Sequence, residues 1–232
     1  MVPSYDLLIL IPYQLMKIND IPSVYRLLRV EYLKHKTPVV ELVKAQTDDP
    51  FRILVATILS ARTKDETTAQ VSRRLFKVVR KPHDLDKLSI KELEKHIFPI
   101  GFYHTKAKHL KLLPAALDEL FKGQIPNEID DLVKLPGVGR KTANLVRAVA
   151  FDKPAVCVDV HVHRICNRLG LLKTETPFET EMKLRKILPG KYWITWNSHL
   201  VSFGQTTCRA IGPKCSICPI YKFCSRIGVE NR

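Results

Sequence analysis

The sequence predicts an all-α protein. Nearly every segment with a period repeats its apolar residues at helical spacing, and helix-start signals recur at short intervals. Alternating apolar and polar runs joined by two-residue turns, the mark of hairpins, are missing. At 232 residues the chain can form one generous domain or two small ones. No linker or low-complexity tract divides it.

Taken in chain order, Asp49 to Arg62 ("DPFRILVATILSAR") is apolar almost all round and reads as a buried helix at the centre of the fold. Thr63 and Glu66 have capping-box spacing, and the helix they would open carries Val71, Leu75, Val78 and Val79 on one face. Ser89 and Glu92 repeat that spacing before "LEKHIFPIGF". Amphipathic stretches follow at Lys106 to Phe121 and at Pro177 to Leu188, the second with Phe178, Met182, Leu184 and Ile187 at helical intervals. Between them "FDKPAVCVDV", Phe151 to Val160, breaks the pattern at Pro154, and "VHVHRICNRLG" reads as a helix ending at Gly170. The segment "IGFYHTKAKHL", from Ile100, has a glycine turn, then a lysine, and reads as a plain inter-helix turn.

Lys+Arg 38 against Asp+Glu 23 gives a net charge of +15, which favours polyanionic partners: nucleic acid or an anionic membrane surface. The longest early apolar run, Leu7 to Pro12, is far short of a membrane span and lacks the flanks of a secretory signal. An intracellular protein is therefore expected. Its six cysteines, four of them close to the C-terminus, then point to metal ligation rather than to disulfides.

The most informative segment is "DDLVKLPGVGRKTANLVRAVA". It reads as a short helix, a turn containing Gly137 and Gly139, and a helix from about Arg140 to Ala150 with Leu145, Val146 and Val149 on its apolar face. Free amides at a helix start, approachable because glycine lacks a side chain, bind an anion such as a DNA phosphate. Residue chemistry alone leaves two readings open: an anion site, or an ordinary turn with Lys141 as one more surface cation. Asp159, just ahead of the next helix, likewise fits an N-cap. Cys208, Cys215, Cys218 and Cys224 form a C-x6-C-x2-C-x5-C array that suits an iron-sulfur cluster or a tetrahedral zinc. Spacing does not choose between them. Cys157 and Cys166 lie outside the array and read as small buried residues.

"LPGVGRKTA", together with "ILSARTKDETTA" from Ile58, "VDVHVHRICNRLGL" from Val158 and the cysteine array, resembles the endonuclease III family of helix-hairpin-helix DNA glycosylases. The resemblance covers most of the chain beyond about residue 40, with the motifs in the family's order. It implies a two-lobed fold: a six-helix bundle over 43–153 ending in the hairpin, and a second helical lobe made of 1–42 with 154–232 that carries a cluster loop at 204–226. DNA would lie in the cleft between the lobes. The partner would be double-stranded DNA with damaged bases or abasic sites, bound by a monomer.

By the same resemblance Lys141 is the nucleophile, whose neutral amine attacks C1′ of the sugar and forms a Schiff base, and Asp159 assists it. An oxidised pyrimidine such as thymine glycol would be the substrate, with β-elimination nicking the strand. Gly137, Val138, Gly139, Arg140, His161, Arg209 and Lys214 would contact DNA, and the four cysteines would hold a [4Fe-4S] cluster, with zinc as the physical rival. His161 is given no chemical step. Asp65 matches the family and would line the base pocket, although it also fits the capping turn begun by Thr63. One position departs. Where the family commonly has a glutamine that fills the gap left by the extruded base, this chain has Arg62, which leaves the opposite-base preference open. Two rivals are a monofunctional mismatch or adenine glycosylase, which would use water and lacks the hairpin lysine, and an iron-sulfur DNA-binding protein, which needs neither Lys141 nor Asp159.

Overall fold

The computed structural model describes residues 15–35 and 39–229. The apolar run Leu7 to Pro12 and most of the N-terminal 20 residues lie outside them. Among the described residues the regular structure is all helical, with no strand, as the periodicity predicts. None of the helices is long and apolar enough to cross a membrane. The chain divides into two compact units, one of residues 1–34, 160–188 and 199–232 and the other of 35–159 and 189–198.

The larger unit is built around α3 (Pro50–Ser60). Asp49 caps it by accepting the Phe51 amide at 2.9 Å, Pro50 presets its first turn, and Phe51, Ile53 to Ala56, Ile58 and Leu59 are all buried. Each fully buried Leu or Ile contributes about 1.5–3 kcal/mol, so the run Ile53 to Leu59 is the centre of this unit's stability. Packed against α3 are α2 (Val39–Thr47), α4 (Asp65–Leu75), α6 (Tyr103–Phe121) and α8 (Arg140–Phe151). Between them come α5 (Ile90–Ile97) and the single-turn α7 (Ile129–Leu132). The Ser89 and Glu92 box forms as read: Ser89 Oγ accepts the Glu92 amide at 3.2 Å, and the Glu92 carboxylate accepts the Ser89 amide at 2.7 Å.

The expected capping box at Thr63 does not form. Lys64 is the N-cap of α4, and the Thr63 hydroxyl accepts from the Gly101 amide at 3.1 Å instead. α4 also stops at Leu75, so Val78, expected on its apolar face, is 46% exposed while Val79 is buried.

In the smaller unit α1 (Ile21–Tyr32) buries Ile21, Val24 and Leu28. α9 (Val160–Arg168) ends as expected at Gly170, whose φ of 72° leaves no comfortable place for a side chain, and a Cβ there would meet Ser225 Oγ at 2.4 Å. α10 (Pro177–Ile187) turns a different face inward from the one its apolar residues suggest: Thr180, Glu181 and Leu184 are buried and Phe178 is exposed. The reason is polar pairing. Thr180 Oγ1 bonds His163 Nδ1 at 2.7 Å and Thr174 at 2.6 Å, and Glu181 holds Arg185 at 2.9 Å. α11 (Trp193–Thr206) begins in the larger unit and continues in the smaller one.

Candidate active site

In the larger unit the hairpin runs from α7 through Leu135 to Gly139 into α8. Leu132, Leu135 and Val138 anchor it by their side chains in the core, so Val138 can offer a ligand only its main chain. The two glycines differ. Gly137 has a φ of 77°, and a Cβ on it would meet His109 Nδ1 at 2.8 Å, so both conformation and packing require it. Gly139, the N-cap of α8, has an ordinary φ of −88°, and a Cβ on it would meet nothing within 4 Å. The open space there is not used by this chain's own packing. It adjoins the amides that begin α8, with Arg140 at the first helical position and Lys141 at the second.

Lys141 Nζ lies 3.5 Å from Asp159 Oδ2. The lysine side chain is 53% exposed, whereas the aspartate side chain is only 8% exposed, so the carboxylate forms the floor and the amine the accessible part of the pair. What brings residue 159 to α8 is a clamp on the irregular segment 152–159. Arg147 bonds Pro154 O at 3.2 Å, Asn127 O at 3.0 Å and the Glu128 carboxylate, while Lys153 Nζ reaches Asn127 Oδ1 at 2.7 Å and Glu128 at 3.1 Å. Hydrogen bonds from Lys153 and Arg147 hold the Glu128 carboxyl below its usual range. Ala155 to Val158 pack inward, and the Cys157 thiol donates to Lys141 O at 3.6 Å. Both Cys157 and Cys166 are buried, as read from the sequence.

Arg62 and Asp65 lie in the α3–α4 turn and the first turn of α4, both exposed. Arg62 takes a left-handed conformation, φ 54°, with its guanidinium 5.3 Å from the centre of the exposed Phe102 ring. Phe102 carries no polar signal, and sequence reasoning passes over it. The same holds for Glu128, Arg147 and Lys153, whose roles arise only once the chain folds.

In the smaller unit Cys208, Cys215, Cys218 and Cys224 line one apolar cavity with Ile165, Phe203 and Ile220. Burial, followed by the neighbouring thiols, pushes Cys218 up to about 12, and burial raises Cys224 as well. Four sulfurs around one cavity, two of them held against ionisation by burial, are a donor set that fits a metal. The loop is braced by Arg168, which the sequence reading also missed. Its guanidinium donates to Arg209 O at 2.6 Å, Ala210 O at 2.8 Å and Cys208 Sγ at 3.6 Å. Arg209 and Lys214 project from the loop, exposed. His161 is half-buried, its Nδ1 accepting from Arg164 at 3.2 Å, and a Cβ on Gly204 would collide with that ring.

Residues 55–190 match the family model of the HhH-GPD superfamily base excision DNA repair proteins. The endonuclease III of Thermotoga maritima is 46% identical over 176 residues, 76% of this chain and 83% of that protein. Among solved structures, a non-covalent endonuclease III–DNA complex is 36% identical, with a TM-score of 0.81 over 90% of this chain and 95% of that one. A trapped endonuclease III–DNA covalent intermediate is 35% identical, with a TM-score of 0.74 over 88% and 94% of the two chains.

Proposed function

The chain belongs to the endonuclease III family of the HhH-GPD base excision repair proteins and is a DNA N-glycosylase and abasic-site lyase acting on damaged duplex DNA; we propose that it excises oxidised pyrimidines such as thymine glycol through a Schiff base on Lys141. The observation that carries this reading is the Lys141–Asp159 pair, an accessible amine 3.5 Å from a buried carboxylate at the start of the hairpin's second helix.

The reacting carbon of a stacked nucleotide is out of reach, so the damaged nucleotide is first turned out of the duplex. The amides after Gly139 and the cation of Arg140 hold a backbone phosphate beside the pair. Arg62 fills the vacated space and Asp65 borders the base. Asp159 accepts a proton from the Lys141 ammonium, and the amine attacks C1′. The C1′–N bond breaks, and the base leaves with the bonding electrons and takes up a proton. That proton comes from Asp159, and the carboxylate so restored stabilises positive charge as it develops on the sugar. The attached amine then gives up a proton and its lone pair expels O4′, which takes a proton up as the C1′–O4′ bond opens, and the resulting iminium acidifies the 2′ hydrogen. Loss of that proton breaks the C3′–O bond, releasing the 3′ phosphate, and water then hydrolyses the Schiff base to free the amine.

Cys208, Cys215, Cys218 and Cys224 would hold a [4Fe-4S] cluster, whose chemistry here is a structural cross-link of the loop. Membership of the endonuclease III family supports the cluster over zinc. Arg209 and Lys214 on that loop would meet phosphates.

Borohydride trapping tests the assignment. Wild type and Lys141→Ala are incubated with duplex DNA carrying one thymine glycol, then reduced. A covalent adduct formed by wild type and lost in the variant is expected. Base release by wild type without an adduct would transfer the chemistry to water.

A further inference from the structure

The turn after Ile100, which the sequence presents as a plain connection, is joined to the turn that carries Arg62. Lys106, one turn into α6, is only 6% exposed. Its ammonium donates to Leu59 O at 2.8 Å and Ala61 O at 2.6 Å, carbonyls at the C-terminal end of α3, and lies 3.5 Å from Thr63 Oγ1. A cation at that end of a helix also meets the negative pole of its dipole. The Thr63 hydroxyl in turn accepts the Gly101 amide at 3.1 Å. The two backbones touch so closely that a Cβ on Gly101 would sit 2.5 Å from Arg62 O.

Two residues in this assembly, Arg62 and Phe102, have positive φ, 54° and 59°, although neither is glycine. Such conformations persist only where surrounding contacts over-determine them, and they cluster at sites of function. Both side chains are exposed and stacked on each other, so no packing need explains them. The lysine is itself costly to hold: burial pushes its ammonium down from 10.5 to about 8. An apolar residue at that depth would serve packing alone.

We propose that Lys106 is a positioning residue for base extrusion: by fastening the Ala61–Thr63 turn to the Gly101–Phe102 turn, it presents Arg62 in the fixed pose in which it fills the space of the displaced nucleotide. This rests on the assignment of Arg62 to that space. Lys106 itself is too deeply buried to touch DNA.

The experiment compares wild type, Lys106→Met and Thr63→Val on two substrates. The first is duplex DNA with a single thymine glycol and 2-aminopurine as the opposite base. The second is a single strand bearing a pre-formed abasic site, which has no base to extrude. Lys106→Met is expected to slow single-turnover excision from the duplex by about 10- to 100-fold and to suppress the 2-aminopurine fluorescence change. Strand cleavage and borohydride trapping on the single strand should stay within about 2-fold of wild type. Thr63→Val removes the link to Gly101 and the ammonium's longest contact but leaves its bonds to Leu59 O and Ala61 O, and a smaller shift of the same kind is expected. It decides the matter if Lys106→Met fails to fold. Proportional loss on both substrates, or loss on neither, overturns the proposal. Failure of wild type to trap on duplex DNA bearing a thymine glycol would instead sink the assignment of Lys141.

Discussion

The Lys141 amine stands 3.5 Å from the Asp159 carboxylate, one accessible and the other buried, and the aspartate is reached through a segment clamped by Arg147, Lys153 and Glu128. This asymmetry separates the two roles. Asp159→Asn keeps shape and hydrogen-bonding capacity but removes the proton acceptor. It is expected to lower the single-turnover rate of base release by about 10²–10⁴-fold while leaving affinity for abasic-site DNA within a few-fold. A rate of base release close to wild type would make Asp159 a helix cap and no more, since asparagine caps equally well.

The hairpin glycines predict opposite phenotypes. Gly137→Ala forces a side chain into a φ of 77° and against His109, and thermal melting should report a destabilisation of about 1–3 kcal/mol. Gly139→Ala meets no atom within 4 Å and should cost less than about 1 kcal/mol. Its Cβ instead intrudes where a phosphate would approach the α8 amides, so DNA binding should weaken with the fold intact. A Gly139→Ala protein that binds DNA as well as wild type would remove the phosphate from this turn.

How far these features were legible depends on whether their cause is local. The Ser89–Glu92 box, the Gly170 stop and the central apolar helix lie within a few residues of sequence, and each forms as read. Thr63 and Glu66 have the same spacing as Ser89 and Glu92, yet Thr63 is drawn away by an amide 38 positions distant. A similar competition misleads on α10, where Thr180 is buried because His163 and Thr174, outside the helix, satisfy it. Nothing local sets Lys106 and Arg168 apart in a chain of net charge +15, and only the carbonyls they meet reveal them as braces.

Metal content offers a third test. Protein purified without air should contain about four iron atoms and as much acid-labile sulfide per chain, and essentially no zinc. Arg168→Met removes the donors to Arg209 O, Ala210 O and Cys208 Sγ. It is expected to speed iron loss to a chelator severalfold. One zinc per chain in place of iron would assign the cysteines to a tetrahedral site.

The buried ammonium of Lys106 gives a pH signature of its own. Its folded-state value of about 8 lies below the 10.5 of the unfolded chain, so between these two the unfolded state binds more protons and stability rises with pH. Below about pH 8 both states are charged and the full desolvation cost is borne. Above about 10.5 both are neutral and the cost is gone. Urea unfolding of wild type and Lys106→Met isolates the term, because other titrations cancel in the difference. From about pH 7.5 to 10 that difference should move in favour of wild type by roughly 1 kcal/mol per pH unit at most. A flat difference would mean that the ammonium reaches water, and the fastening of the Arg62 turn would then rest on Thr63 and Gly101 alone.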